Sequence, residues 1–230
     1  IMYNQPINPT FTKERIIVAI DTEHEDEMCR IVEGLDRSKC HVKIDSRAFS
    51  ELGGYSLILK LQELGFKVFY DAKLYGTPSN ITAMVAQACK HDIWMISIAS
   101  ACGKPSLVAA KEAKGTSQTK LIAITELTSN DENNIQELGM HDTVSEIVQQ
   151  RITLSQDCGF DGFVCSGDDL TKIDQDVINN GQIVITTGIR LPNADTRDHA
   201  RPCTPEIAIR NGATYLVVGE PIIAESNIGV

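Results

Sequence analysis

No stretch of this chain approaches the roughly 20 consecutive apolar residues that a membrane-crossing helix needs. The start, IMYNQPINPTFTKE, is polar and proline-bearing, without the apolar core of a secretory leader. The seven cysteines, Cys29, Cys40, Cys89, Cys102, Cys158, Cys165 and Cys203, form no CxxC pair. They sit mostly inside apolar or helical runs, so they read as reduced core residues and indicate neither a zinc knuckle nor a disulfide framework. Positive charge is scarce as well: 21 Lys and Arg stand against 31 Asp and Glu, a net charge of −10. A nucleic-acid or anionic-membrane surface needs a basic stripe, and none runs through the chain, so neither partner is expected. A cytoplasmic protein handling a small molecule is the expectation left.

What is present is a chain of 230 residues, 42% hydrophobic, able to bury a sizeable core without staples. Eight short β-rich runs follow polar or glycine breaks: RIIVAI (15–20), HVKID (41–45), FKVFY (66–70), IWMIS (93–97), KLIAI (120–124), DGFVC (161–165), QIVIT (182–186) and TYLVV (214–218). Most are continuous rather than alternating apolar runs, as strands buried on both faces require. Between them, helical spacing covers 25–35, 57–64, 81–90, 105–114, 142–157, 168–178 and 205–210. Strand and helix alternating about eight times predict a parallel sheet closed into a (β/α)8 TIM barrel, with an open doubly wound sheet as the alternative. No linker rich in Pro, Gly or Ser divides the chain, so one barrel domain is expected over 15–230, preceded by an extension over 1–14.

Active sites of such barrels lie at the carboxyl ends of the strands. There the chain carries Asp21 after strand one, Lys43 and Asp45 at the end of strand two, and Asp71 and Lys73 after strand three. Thr125 to Ser129 follow strand five, and TTGIR follows strand seven. Taken singly, each charge fits an ordinary solvated rim. Together, Asp21, Lys43, Asp71 and Lys73 would form an array of alternating carboxylates and ammoniums, in which flanking acids keep each lysine protonated. A lysine so held can donate a proton to a carbanion, and a carboxylate beside it can orient it and crowd a carboxylate that must leave.

With these residues in place, the chain resembles the orotidine 5'-phosphate decarboxylases, which convert orotidine monophosphate (OMP) to uridine monophosphate (UMP) without a cofactor. The resemblance rests on VAID (18–21), VKI (42–44), DAK (71–73), TELTS (125–129), GFDGFVCS (159–166), TGIR (187–190) and TPEIAIRNGATYLVVGEPI (204–222), in that order. It implies that Asp21 binds the ribose hydroxyls, that Lys43 bridges ribose and Asp71, and that Asp71 lies beside the substrate carboxylate. It further implies that Lys73 protonates C6, that Thr128 touches the pyrimidine, and that the loop 188–202, with Arg190, closes over the phosphate. A cytoplasmic homodimer with sites at the subunit interface, no metal and a role in pyrimidine biosynthesis are implied too.

The sequence also departs from the family pattern. DxKxxD followed by Ile, Pro and a later Thr is here DAKLYGTPSN, so Gly76 replaces the second aspartate and Asn80 the threonine, both of which the resemblance places in the neighbouring subunit's site. Where the family reads VVGRP, with the arginine gripping phosphate, Glu220 stands instead; it removes a charge-assisted pair and adds repulsion toward a dianion. His199 stands for a glutamine that folds over the phosphate, Thr187 for a proline, and Ile98 for a histidine to which no role is assigned. Arg190 and Arg201 remain near the lost arginine and can partly neutralise a phosphate.

Glu220 also fits a rim residue turned to solvent, His199 an ordinary loop histidine, and Gly76 a turn residue before Pro78. Three functional readings stand open: an OMP decarboxylase impaired by Gly76 and Glu220, a noncatalytic homologue that binds a nucleotide, another small ligand or a protein, and sugar-phosphate chemistry of the kind run by metal-using relatives of the fold. The third ranks last, because those relatives carry an acid at the position of Gly76.

Overall fold

The computed structural model describes residues 15–178, 180–190 and 203–224; the expected extension over 1–14, His199 and Arg201 lie outside them. Eight parallel strands close into a barrel in chain order: β1 (Ile16–Ile20), β2 (Cys40–Asp45), β3 (Val68–Leu74), β4 (Met95–Ala99), β5 (Lys120–Ile124), β6 (Gly162–Ser166), β7 (Ile183–Thr187) and β8 (Tyr215–Val218). β1 pairs β2 from Ile16↔Cys40 to Ile20↔Ile44 and closes the ring on β8 at Ile16↔Leu216. Around it lie α1 (Glu25–Gly34), α2 (Ser46–Glu51), α3 (Tyr55–Glu63), α4 (Pro78–Lys90), α5 (Lys104–Lys114), α6 (Glu132–Glu137), α7 (Val144–Asp157), α8 (Gln175–Ile178), α9 (Pro205–Arg210) and α10 (Glu220–Ile223). The closed barrel is borne out over the open sheet.

Alternate residues of a strand face opposite ways, so each buried strand feeds two cores. One parity fills the barrel interior with Ile17, Ala19, Phe69, Met95, Ile122, Ile124, Val164, Ile185 and Val217. The other parity, including Val18, Val42, Ile44, Val68, Ile96 and Val184, packs on helix residues such as Ile31, Ile58, Ile81, Val85 and Ile152. Each fully buried Ile or Val contributes about 1.5–3 kcal/mol relative to exposure. Trp94, at the amino end of β4, stacks edge-on between His41 and Tyr215 at 4.6 and 5.2 Å, closing the bottom of the barrel. Where β6 meets β7 the backbones come so close that a Cβ on Gly162 would lie 2.1 Å from the Ile183 carbonyl oxygen, so only glycine fits.

Local signals account for the helix starts. Thr143 and Glu146 form a reciprocal capping box at α7, Asp131 and Asn134 do so at α6, and prolines occupy the first turns of α4, α5, α9 and α10. The helix expected over 168–178 is instead a 3-10 turn, Asp169–Thr171, followed by short α8. Its cause is Asp169, buried and accepting from the Ser166 amide at 3.0 Å and hydroxyl at 2.7 Å, which folds the segment back onto β6. The short helices α2, α6 and α10 were not expected, being too brief to show apolar periodicity.

Candidate active site

The interior parity does not stop where the core ends. Two residues past Ala19 stands Asp21, past Phe69 come Asp71 and Lys73, past Ile124 comes Glu126, and past Val217 comes Gly219 with Glu220 beside it. These residues line a cavity of about 560 Å³ at the carboxyl ends of the strands, together with Lys43, Thr128, Thr187 and Arg190. Strands β1, β2, β3, β5, β7 and β8 thus feed one mouth, as the closed barrel dictates.

The end of β3 is shaped for this. Its register with β4 slips between Tyr70↔Ile96 and Leu74↔Ile98, so four steps on β3 span two on β4. Lys73 takes up the difference in the left-handed region, at φ 45°, a conformation that costs a residue with a Cβ about 1–2 kcal/mol. Its amide donates to the Ser97 hydroxyl at 2.8 Å, and that hydroxyl donates to Asp71 Oδ1 at 2.8 Å. The strained backbone is therefore tied to the carboxylate it serves. β3 also runs on through Leu74, so Asp71 and Lys73 lie within the strand rather than after it.

The expected charge array forms. Asp71 Oδ2 lies 2.5 Å from Lys73 Nζ and 3.5 Å from Lys43 Nζ, and Lys43 Nζ donates to Asp21 Oδ1 at 2.8 Å. Burial pushes the Asp71 carboxyl up, but Lys43, Lys73 and the Ser97 hydroxyl outweigh it and hold it below the ordinary carboxylate range. Burial likewise disfavours the Lys43 ammonium, and Asp71 and Asp21 reverse that, raising its pKa above the ordinary lysine value. Asp71 and Lys43 are buried, whereas the Lys73 side chain is 44% exposed and reaches the cavity. That ammonium is the member of the set placed to give a proton to a bound molecule.

Thr128 also lines the cavity, on a loop braced from below. Glu126, buried in the cavity wall, accepts from the Leu127 amide at 2.9 Å and the Asn130 amide group at 2.7 Å. Its other oxygen pairs with Arg151 of α7, which also donates to the Thr125 carbonyl at 2.6 Å. Glu126, Arg151 and Ser97 carried no assignment from sequence. Strand parity singles out Ser97 and Glu126, two residues past Met95 and Ile124, but nothing local pairs Glu126 with a residue 25 positions away.

On the β7 and β8 side, Arg190 and Glu220 both face the cavity; Glu220 is not turned away to bulk solvent. The backbone of Arg190 is held by Cys203, whose carbonyl accepts its amide at 2.9 Å. Arg30, on α1 and unmarked by any motif, joins this wall. Asp45 does not take part in it: its carboxylate caps α2, accepting from the Ala48 amide at 2.8 Å. Gly76 lies off the cavity wall, and Ile98 is fully buried in the outer core. Among the described residues no group of three or more His, Cys, Asp or Glu side chains is disposed to hold a metal ion.

Comparison with known proteins agrees with this arrangement. The model of the orotidine 5'-phosphate decarboxylase / HUMPS family matches residues 14–229. A protein of Nitrosomonas europaea named orotidine 5'-phosphate decarboxylase is 39% identical over 208 residues, covering 90% of this chain and 89% of that one. A namesake from Legionella pneumophila is 35% identical over 216 residues, 93% of each chain. The crystal structure of orotidine 5'-phosphate decarboxylase from Lactobacillus acidophilus superposes with a TM-score of 0.79 at 26% identity, covering 94% of both chains. The likeness runs the length of the barrel instead of resting on one motif, and the chain belongs to the orotidine 5'-phosphate decarboxylase / HUMPS family.

Proposed function

We propose that this protein decarboxylates OMP to UMP and CO2, with Asp71, Lys73 and Lys43 as its catalytic set. The observation that carries the reading is the Asp71 carboxylate held between two ammoniums and a hydroxyl at the mouth of the barrel. In the reaction the bond from C6 to the carboxylate breaks, its electron pair stays on C6, and CO2 leaves. The Lys73 ammonium stabilises that developing charge and transfers a proton to C6, then regains one from solvent. Asp71 is anchored and ionised, so it cannot swing away from a substrate carboxylate placed against it. Asp21 and Lys43 present an acceptor and a donor to ribose hydroxyls, and Thr128 lies on the loop that meets the base.

Turnover is slow in this reading. Gly76 supplies no charge to a neighbouring site, and Glu220 sets a carboxylate in the wall that faces a phosphate. His199 is assigned to the phosphate as well, from the resemblance alone. The working form is a cytoplasmic homodimer; Tyr75, next to Gly76 and 74% exposed, and Leu127, 44% exposed, are large apolar side chains near the mouth that a second copy would cover. No described helix is long and apolar enough to cross a membrane.

The test is ultraviolet-monitored decarboxylation of OMP by purified protein, with Lys73→Ala controlling for host enzyme. Product from the wild type alone supports the assignment. If neither protein forms product, the second reading takes over, a barrel that binds a nucleotide or another ligand without turning it over, which Gly76 and Glu220 favour.

A further inference from the structure

We infer that Arg30 of α1 supplies a phosphate-binding cation to this cavity, in the place of the arginine that Glu220 displaces; the inference rests on the nucleotide monophosphate reading of the site. The cavity is lined from two sides. At one, Lys43 and Lys73 are engaged with Asp21 and Asp71. The other is walled by Gly188, Arg190, Gly219 and Glu220, from the loops after β7 and β8, where barrels of this kind commonly seat a phosphate. Glu220 by itself would repel a dianion there, and Arg190 alone would do no more than offset it.

Arg30 changes that balance from a separate element. One of its terminal nitrogens donates to the Ile223 carbonyl at 2.9 Å, bridging 193 residues of sequence and fixing the head group against α10. A guanidinium is a rigid planar fork, so one such bond orients the rest of it, and the side chain lines the same wall as Arg190 and Glu220. Two arginines from two elements then face one end of the cavity. A phosphate monoester is the ligand chemistry that uses them, because planar forks bind its oxygens in pairs.

Calorimetry with UMP, uridine and ribose 5-phosphate, on wild type, Arg30→Ala and Arg30→Lys, tests the assignment. Loss of a charge-assisted pair predicts that Arg30→Ala weakens UMP and ribose 5-phosphate by roughly tenfold or more, with uridine unchanged and Arg30→Lys intermediate. Unchanged UMP affinity in Arg30→Ala, or equal losses for UMP and uridine, overturns the role of Arg30 while the pyrimidine reading stands. If the wild type binds ribose 5-phosphate but not UMP, and Arg30→Ala loses it, Arg30 stands and the pyrimidine reading falls. A wild type that binds none of the three overturns both. Arg30 is exposed, so its removal leaves the core intact.

Discussion

Asp71 is a buried carboxylate that stays ionised because three neighbours address its two oxygens. Its pKa is depressed in the folded chain, so its contribution to stability is present above the unfolded value near 3.8 and is lost as pH falls through the lower folded value. Lys43 behaves in the opposite sense: its pKa is raised, so its contribution is complete below about 10.5 and is lost only as pH climbs through the higher folded value. The melting-temperature gap between wild type and Asp71→Asn should therefore be flat from about pH 5 to 9 and close only in strong acid or strong base. A gap that changes near neutrality would show that the array is not ionised as described. In the proposed reaction Lys73 would carry the proton transfer, so Lys73→Ala should lower kcat by about 10²–10⁴-fold in the decarboxylation assay, with UMP still bound.

The end of β3 is the element on which the site is built. Lys73 sits in the left-handed region, which glycine adopts without strain, while its ammonium pairs with Asp71. Lys73→Gly and Lys73→Ala both delete the ammonium, but the glycine variant should be more stable by about 1 kcal/mol in urea melts, because only alanine keeps the backbone strain. The loop after β5 depends on a different device. Arg151→Leu strands the Glu126 carboxylate in the cavity wall and should cost about 3–5 kcal/mol, while Glu126→Val with Arg151→Leu should recover part of it, since the unpaired charge is gone although the Leu127 amide and Asn130 lose their acceptor. Equal losses in the single and double variants would mean that the pair is not coupled. The strands themselves were legible as apolar runs, and α7 from its helical spacing over 142–157. The bulge at β3 was not, because a register slip is set by what β4 offers across the ladder, here the Ser97 hydroxyl.

At the scale of the whole molecule, closure of the sheet decides what meets what. β1 pairs β8, so Asp21 and Glu220, 199 positions apart, line one cavity. Gly76→Asp with Glu220→Arg should raise kcat/KM for OMP on the order of 10²-fold, one step restoring charge at the reacting end and the other at the phosphate end. A Cβ at Gly76 would lie 3.3 Å from that of exposed Asn80, at the start of α4, so the aspartate needs only a small shift there. No gain from the pair would mean that other substitutions limit the site. In sedimentation, a species of twice the chain mass is expected, and the gain from Gly76→Asp should vanish in any variant that sediments as a monomer.

The sequence by itself determined the barrel and the strand-end charges: continuous apolar runs must be buried on both faces, and Asp21, Lys43, Asp71 and Lys73 stand where those runs end. It also marked the departures, Gly76 and Glu220. Tertiary structure alone decided that Asp45 caps a helix, that Ser97 ties strained Lys73 to Asp71, that Arg151 reaches Glu126, and that Arg30 joins the wall behind Glu220. The physical reason is that, apart from the local Asp45 cap, these contacts join groups on different elements, from 24 to 193 positions apart, and depend on distances of a few ångströms that exist only once the ring of strands has closed.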